Sequence, residues 1–256
     1  MARKPAWVIE KEQAANSTLW LFGLHAVRDA LLNPARRKLR LVVTKNALDR
    51  LVDAIQAAGL EPEVSDARKF QAPLDPGSVH QGAALEVRAL DWGGIHEVIP
   101  ATGRASVLLL DRVTDPHNVG AILRSAEVFG ASAVIAPARH AAPETGALAK
   151  TASGALERHP YLRVKNLAST MDALKHMGFQ VVGLAGDAED TLDFQLSTAG
   201  ERIALVLGAE GPGLREKTRQ NCDRLARIPF AGQFGSLNVS NAAAVSLYAV
   251  SRLENV

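Results

Sequence analysis

Three separated stretches of this chain set polar side chains directly after short apolar runs. The first, DRVTDPHNVGAILRSAEVFG (111–130), turns at Asp115-Pro116 and opens a helical pattern with His117 and Asn118 at its mouth. Within that pattern His117, Gly120, Ala121, Arg124 and Val128 share one side. The small residues ahead of Arg124 leave its guanidinium open to a ligand or to another backbone. The second, VLGAEGPGL (206–214), is a glycine loop carrying one acid, Glu210. It lacks Gly-Lys-Ser/Thr, so it is no Walker loop, and its spacing is not the G-x-G-x-x-G of a dinucleotide site. It reads as a tight backbone wall for a cofactor with Glu210 as a fixed acceptor, or as a plain turn with a surface Glu. In the third, IPFAGQFGSLNVSNAAAV (228–245), Ser236, Asn238, Ser240 and Asn241 crowd the start of an apolar helix. One helix cap needs only one such side chain.

The scaffold these loops require is legible around them. From Ala105 the chain alternates strand and helix. SVLLLD (106–111), AVIA (133–136), Tyr161–Val164, QVVGLA (180–185), IALVLG (203–208) and LARIPF (225–230) read as strands. Helices fall over Asn118–Phe129, Glu144–Leu156, Asn166–Gly178 and Leu214–Cys222, with a last one from about Val239. This alternation predicts an α/β domain with a parallel sheet, whose ligands sit beyond the carboxyl ends of the strands. The loops after Asp111, Leu207 and Ile228 are therefore the places for chemistry.

A smaller α/β unit precedes it over residues 19–90. It has a helix at Leu24–Leu32, a strand at 39–45, a helix at Leu48–Ala58 closed by Gly59, and extended pieces near Glu63–Ser65 and Ala84–Leu90. Residues 1–18 read as a flexible tail, 91–104 as a linker and 105–256 as the second domain. The 256 residues are 47% hydrophobic with a formal net charge of +2, too balanced to announce a nucleic-acid binder. One basic cluster stands out: Arg36, Arg37, Lys38 and Arg40. It reads equally as a phosphate-contacting patch or a solvated corner. Cys222 is the single cysteine, which excludes an internal disulfide and a multi-cysteine metal site. The charged N-terminus is no secretory signal and no run is long enough to span a membrane, so a cytoplasmic setting is expected.

In this order, DPHNVGAILRSAEVFG, LVLGAEGPGL and IPF…GSLNVSNAAA resemble the three signature motifs of the SpoU (TrmH-type) RNA 2′-O-ribose methyltransferases of the SPOUT superfamily, across residues 105–256. LFGLHAVRDALLN with the basic segment and strand after it resembles the small, L30e-like RNA-binding domain of the RlmB branch. The resemblance implies S-adenosylmethionine as cofactor, a trefoil-knotted sheet and a homodimer with the site near the subunit interface. It implies that Leu207, Gly208, Gly211, Ile228 and Leu237 line the cofactor, that Asn118, Arg124, Glu210 and Asn238 form the active site, and that Ser240 and Asn241 cap the last helix. The family's motif-one arginine, here Arg124, has been proposed to activate the 2′-hydroxyl. A guanidinium stays protonated, so holding the adjacent phosphate is the easier role. The sulfonium leaves as a neutral thioether, so no metal is called for.

The implied product is 2′-O-methylguanosine in the P-site loop of large-subunit rRNA, with the basic cluster on RNA phosphates. A tRNA-directed enzyme of the same family and a silent RNA-binding assembly factor are the alternatives. A dehydrogenase is disfavoured by the missing fingerprint. Gln233-Phe234-Gly235 departs from the small residues common in the branch, and Phe234 offers a wall for the adenine or a base.

Overall fold

The computed structural model describes residues 18–232 and 237–253. The departure at Phe234 lies outside the described residues. The chain divides into two compact units, one made of the described residues up to Asp91 together with Glu144–Glu157, the other of Trp92–Pro143 and the described residues from Arg158 on.

The strands are β1 (Thr18–Phe22), β2 (Lys38–Val43), β3 (Pro62–Val64), β4 (Ala83–Arg88), β5 (Ala105–Asp111), β6 (Ala133–Pro137), β7 (Tyr161–Val164), β8 (Gln180–Leu184), β9 (Arg202–Gly208) and β10 (Arg224–Ala226). The helices are α1 (Leu24–Leu32), α2 (Lys45–Ala58), α3 (Ile95–Val98), α4 (Pro116–Val128), α5 (Gly146–Ala152), α6 (Ala155–Arg158), α7 (Leu167–His176), α8 (Leu192–Ser197), α9 (Glu216–Gln220) and α10 (Val239–Arg252).

The first unit is a four-stranded sheet in the order β1-β4-β2-β3, antiparallel except between β2 and β3. Its core is Leu21, Val27, Leu31, Leu41, Val43, Leu51 and Leu85, all essentially inaccessible. Thr44 caps α2 by accepting from the Ala47 amide, and Gly59 closes it in the left-handed region at φ 61. Strand β1 was not expected from the sequence. TLWLF is short and unalternating, and it is a strand because β4 supplies its ladder.

Glu144–Glu157, which the sequence places inside the second domain, packs with the first. Gly146 opens α5 against β1; a Cβ there would stand 2.4 Å from the Phe22 ring and 2.5 Å from the Trp20 carbonyl oxygen. The helix expected over Glu144–Leu156 is two, because Ser153 adopts φ 52 and Gly154 φ 90. Beneath this segment lies Arg36, whose side chain is 0% exposed. Its Nη2 lies 2.6 Å and its Nε 3.0 Å from the two Glu157 carboxylate oxygens, and Nη1 donates to the Arg88 carbonyl at 2.7 Å and to Glu144 at 3.3 Å. Burial raises the Glu144 carboxyl against the pull of Arg36. Assigning Arg36 to RNA contact is therefore corrected: its donors are consumed inside the unit. Of the other three, Arg40 pairs with Glu63 at 2.7 Å and Lys38 donates to the Asn33 carbonyl at 2.7 Å, while Arg37 is exposed.

The second unit is a six-stranded parallel sheet in the order β10-β8-β9-β5-β6-β7. The order in which the chain adds strands reverses at β5: β6 and β7 extend the sheet on one side of it, and β9, β8 and β10 lie on the other. That is the switch point where parallel sheets open a crevice. The β5–β9 register sets Asp111 opposite Gly208 and so brings the first two polar loops to one level. Four elements differ from expectation, the first being α3, a helix within the 91–104 segment read as a linker. The 214–222 helix contracts to α9 because Arg215 is held in extended conformation at ψ 148. Strand β10 stops at Ala226, ahead of Pro229, which has no amide to continue a ladder. Helix α8 went unseen because six residues give no readable period.

One buried group predicts a pH dependence. His159 is 5% exposed, its Nε2 has no partner among the described residues, and burial lowers its pKa from 6.5 to about 4. The unfolded chain takes up this proton near 6.5 while the folded chain resists it. The stability is thus complete above pH 6.5 and is lost as pH falls toward 4, by about 2 kcal/mol between pH 7 and pH 5. His159→Phe is expected to flatten that part of the melting temperature against pH. An unaltered slope would show that other groups set it.

Candidate active site

Three loops converge at the β5–β9 switch point. Helix α4 is capped by Asp115, whose Oδ1 accepts from the His117 amide at 2.9 Å, with Pro116 in its first turn. Asn118 is therefore not the cap, and its amide is free to face the glycine loop. Its Nδ2 donates to Glu210 Oε1 at 3.1 Å. Asn238 caps α10, accepting from the Ser240 amide at 2.9 Å. Its other end donates to Asn118 Oδ1 at 3.0 Å and to Glu210 Oε1. The Val239 amide, at 3.3 Å, completes the set around the same Glu210 oxygen. Asn238 thus performs both tasks that the sequence divides between it and Ser240 or Asn241. Ser240 supplies the donors, through its amide and its hydroxyl, and Asn241 is exposed.

The loop that presents Glu210 is held from both ends. Gly213 donates to the Ala209 carbonyl at 2.9 Å, closing the loop on itself. A Cβ on Gly208 would lie 2.1 Å from the Gly213 carbonyl carbon, so only glycine lets the two limbs pass. At its far end the Arg215 amide and guanidinium reach the fully buried Asp111 carboxylate at 3.0 and 2.7 Å. The Asp111–Arg215 clasp was not singled out in the sequence; an acid closing an apolar strand is its only signal.

Below the cluster a cleft of about 610 Å³ opens beyond the ends of β8, β9 and β10. Leu207, Gly208, Gly211, Ile228 and Leu237 all line it, together with Glu210 and Asn238 at one wall. Its far wall, Leu184–Gly186 with Pro229 and Phe230, was missed by sequence reasoning because those residues carry no polar signal. Arg124 is exposed and forms no hydrogen bond or ion pair with the described residues, so it stays outside the cluster that Asn118, Glu210 and Asn238 form. Among the described residues no three His, Cys, Asp or Glu side chains are grouped to hold a metal ion.

Family models match nearly all of this. The SpoU rRNA methylase family matches residues 105–248, and the RNA 2′-O ribose methyltransferase substrate-binding domain matches residues 20–92. The chain belongs to the SpoU rRNA methylase family. It is 39% identical to the 23S rRNA (guanosine-2′-O-)-methyltransferase RlmB of Yersinia pestis, over 91% of this chain and 96% of that one. To RlmB of Escherichia coli K12 it is 38% identical, over 91% and 97%. In fold it is similar to the SpoU methyltransferase AviRb of Streptomyces viridochromogenes, in complex with AdoMet, at a TM-score of 0.78 and 21% identity, covering 98% of this chain and 99% of that one. An AdoMet-bound rRNA methyltransferase from Sinorhizobium meliloti follows at 0.75 and 24%, covering 95% and 90%.

Proposed function

We propose that this chain moves the methyl group of S-adenosylmethionine to the ribose 2′-hydroxyl of a guanosine in large-subunit (23S) rRNA, in its P-site loop. The carrying observation is the Asn118–Glu210–Asn238 cluster at the wall of the 610 Å³ cleft. Similarity to the RlmB enzymes supports the choice of rRNA and of guanosine.

The cleft fits the cofactor in kind. Its walls are aliphatic side chains and glycine backbone, suited to an adenine and a ribose, and a Cβ on Gly186 or Gly211 would meet nothing within 4 Å. S-adenosylmethionine supplies, when bound, a methyl carbon made electrophilic by its sulfonium. Leu207, Gly208, Gly211, Ile228 and Leu237 are the residues that hold it. Glu210 draws two amides and a backbone N–H onto one oxygen, which fixes the mouth of the cleft and leaves its other oxygen to orient the ribose. Arg124, with no partner among the described residues, holds a phosphate beside the attacked hydroxyl. Positioning supplies much of the rate.

Gly208→Ala is expected to weaken S-adenosylmethionine binding by about 100-fold or more, since the added methyl must push the Gly213 backbone out of place. Calorimetric titration checks this, and affinity equal to the parent would show that the loop does not line the cofactor.

The enzyme acts as a homodimer of knotted subunits. Val128 at 70%, Tyr248 at 53% and Val245 at 44% exposure form an apolar face on α4 and α10, and Val128 lies one turn beyond Arg124. A second copy on that face sets the site beside the interface. Arg37, with Lys38 and Arg40 where their internal bonds yield, contacts RNA phosphate. No described helix is long and apolar enough to cross a membrane.

The test is incorporation from methyl-labelled S-adenosylmethionine into unmodified large-subunit rRNA, small-subunit rRNA and tRNA. Label confined to large-subunit rRNA is expected. Label confined to tRNA would move the enzyme to the tRNA-directed reading, and no label with intact cofactor binding would favour the silent assembly factor.

A further inference from the structure

Among the described residues four that are not glycine have positive φ: Gln81, Arg112, His140 and Ser153. Two are explained by their surroundings. The Gln81 side chain accepts from the Leu24 amide at 3.1 Å, and Ser153 terminates α5 with its amide on the Lys150 carbonyl. Arg112 (φ 62) and His140 (φ 60) are different: both are exposed, and neither forms a hydrogen bond or ion pair with a described residue. They follow adjacent strands, β5 and β6, at the carboxyl edge of the sheet.

The strain at Arg112 is imposed from both sides. Asp111 before it is 0% exposed and clasped by Arg215. Val113 after it is 3% exposed, and its carbonyl accepts from the Ala142 amide at 3.2 Å, tying the β5 loop to the loop carrying His140. Ala142 is itself fixed by Tyr161 Oη and Arg163 Nη1, both 2.8 Å from its carbonyl oxygen. With both neighbours pinned inward, residue 112 has to turn through the left-handed region and project outward. Glycine does this without steric cost, whereas an arginine pays for it, and such strain concentrates at functional sites.

The geometry points to a use for that side chain. The cofactor cleft occupies the ends of β8, β9 and β10, which leaves the β5–β6 flank of the Asn118–Glu210–Asn238 cluster for the nucleotide. That side carries Arg112, His140 and, from α4, Arg124. We infer that Arg112 is an RNA-positioning residue that grips a phosphate of the substrate strand next to the target nucleotide, with His140 flanking it. The inference rests on the proposed function for the identity of the RNA.

The test compares the full-length protein with Arg112→Gly, Arg112→Asn and Arg112→Lys. Fluorescence anisotropy with a labelled fragment of large-subunit rRNA reads binding without turnover, and calorimetry with S-adenosylmethionine reads the cleft. Glycine and asparagine accept positive φ, so both variants are expected to melt no lower than the parent. They are expected to bind the cofactor as the parent does and the RNA about tenfold more weakly, with a log–log salt slope shallower by about 0.7–0.9. Arg112→Lys restores RNA binding at the cost of retained strain. Unchanged RNA affinity in the glycine and asparagine variants would overturn the inference, as would a lysine variant no better than they are. Absence of methyl transfer by the parent would instead count against the proposed function, and leaves the binding comparison readable.

Discussion

Arg124→Ala is expected to lower the turnover of methyl transfer by about 100- to 1,000-fold, the usual effect of removing one positioned charge donor from a reacting centre. The guanidinium is exposed and bonded to no described residue, so its loss breaks no bond among them. Stability is therefore expected to stay within about 0.5 kcal/mol of the parent. The cofactor walls are elsewhere, on β8, β9, β10 and the start of α10, so affinity for S-adenosylmethionine should not change. Arg124→Lys keeps the charge but not the planar fork, and recovers only part of the rate. Single-turnover kinetics at saturating cofactor and RNA isolate the step. Full turnover in Arg124→Ala would remove this residue from the chemistry and leave the phosphate to Arg112 alone.

Arg36→Ala is expected to be the most destabilising single change, at about 3–5 kcal/mol. It strands the Glu157 carboxylate, at 7% residue exposure, without its counter-charge, and deprives Glu144 and the Arg88 carbonyl of a donor. The loss of one partner costs more than the pair itself contributes, because the remaining charge stays buried. In melting temperature this is roughly a 10 °C fall. Arg37→Ala, one residue along and exposed, is the control and should be within about 0.5 kcal/mol of the parent. Equal melting temperatures for the two would contradict the buried-pair account. The 144–157 segment is the part released when this network fails, since Asn33 and Arg36 are what Glu157 bonds.

The sequence made the parallel sheet legible because its strands are continuous apolar runs and its helices carry one-sided stripes, patterns local enough to read. The two apolar runs most exact in the sequence, SVLLLD and IALVLG, are the neighbours β5 and β9 whose register builds the site. Asn238 was recognisable as one of four polar residues where a cap requires one, whereas Asn118 and Glu210 entered the site only through the family resemblance; the meeting of the three depends on β9 lying beside β5, which no local pattern states. Arg36 shows the opposite failure. In the sequence it is one of four cations in five positions, and its burial depends on Glu157, 121 residues away. Helix-forming and charge patterns say nothing about so distant a partner. Arg112 was equally hidden, since a positive φ at a non-glycine residue is set by what pins its two neighbours and leaves no trace in composition.

The most direct test of the central claim is the identity of the product. Large-subunit rRNA methylated by the purified protein would be digested to nucleosides and the labelled species identified by mass spectrometry against 2′-O-methylguanosine and base-methylated guanosines. Label is expected in 2′-O-methylguanosine alone, abolished when the target guanosine is replaced by 2′-deoxyguanosine. Label on a base, or label that survives loss of the 2′-hydroxyl, would contradict it.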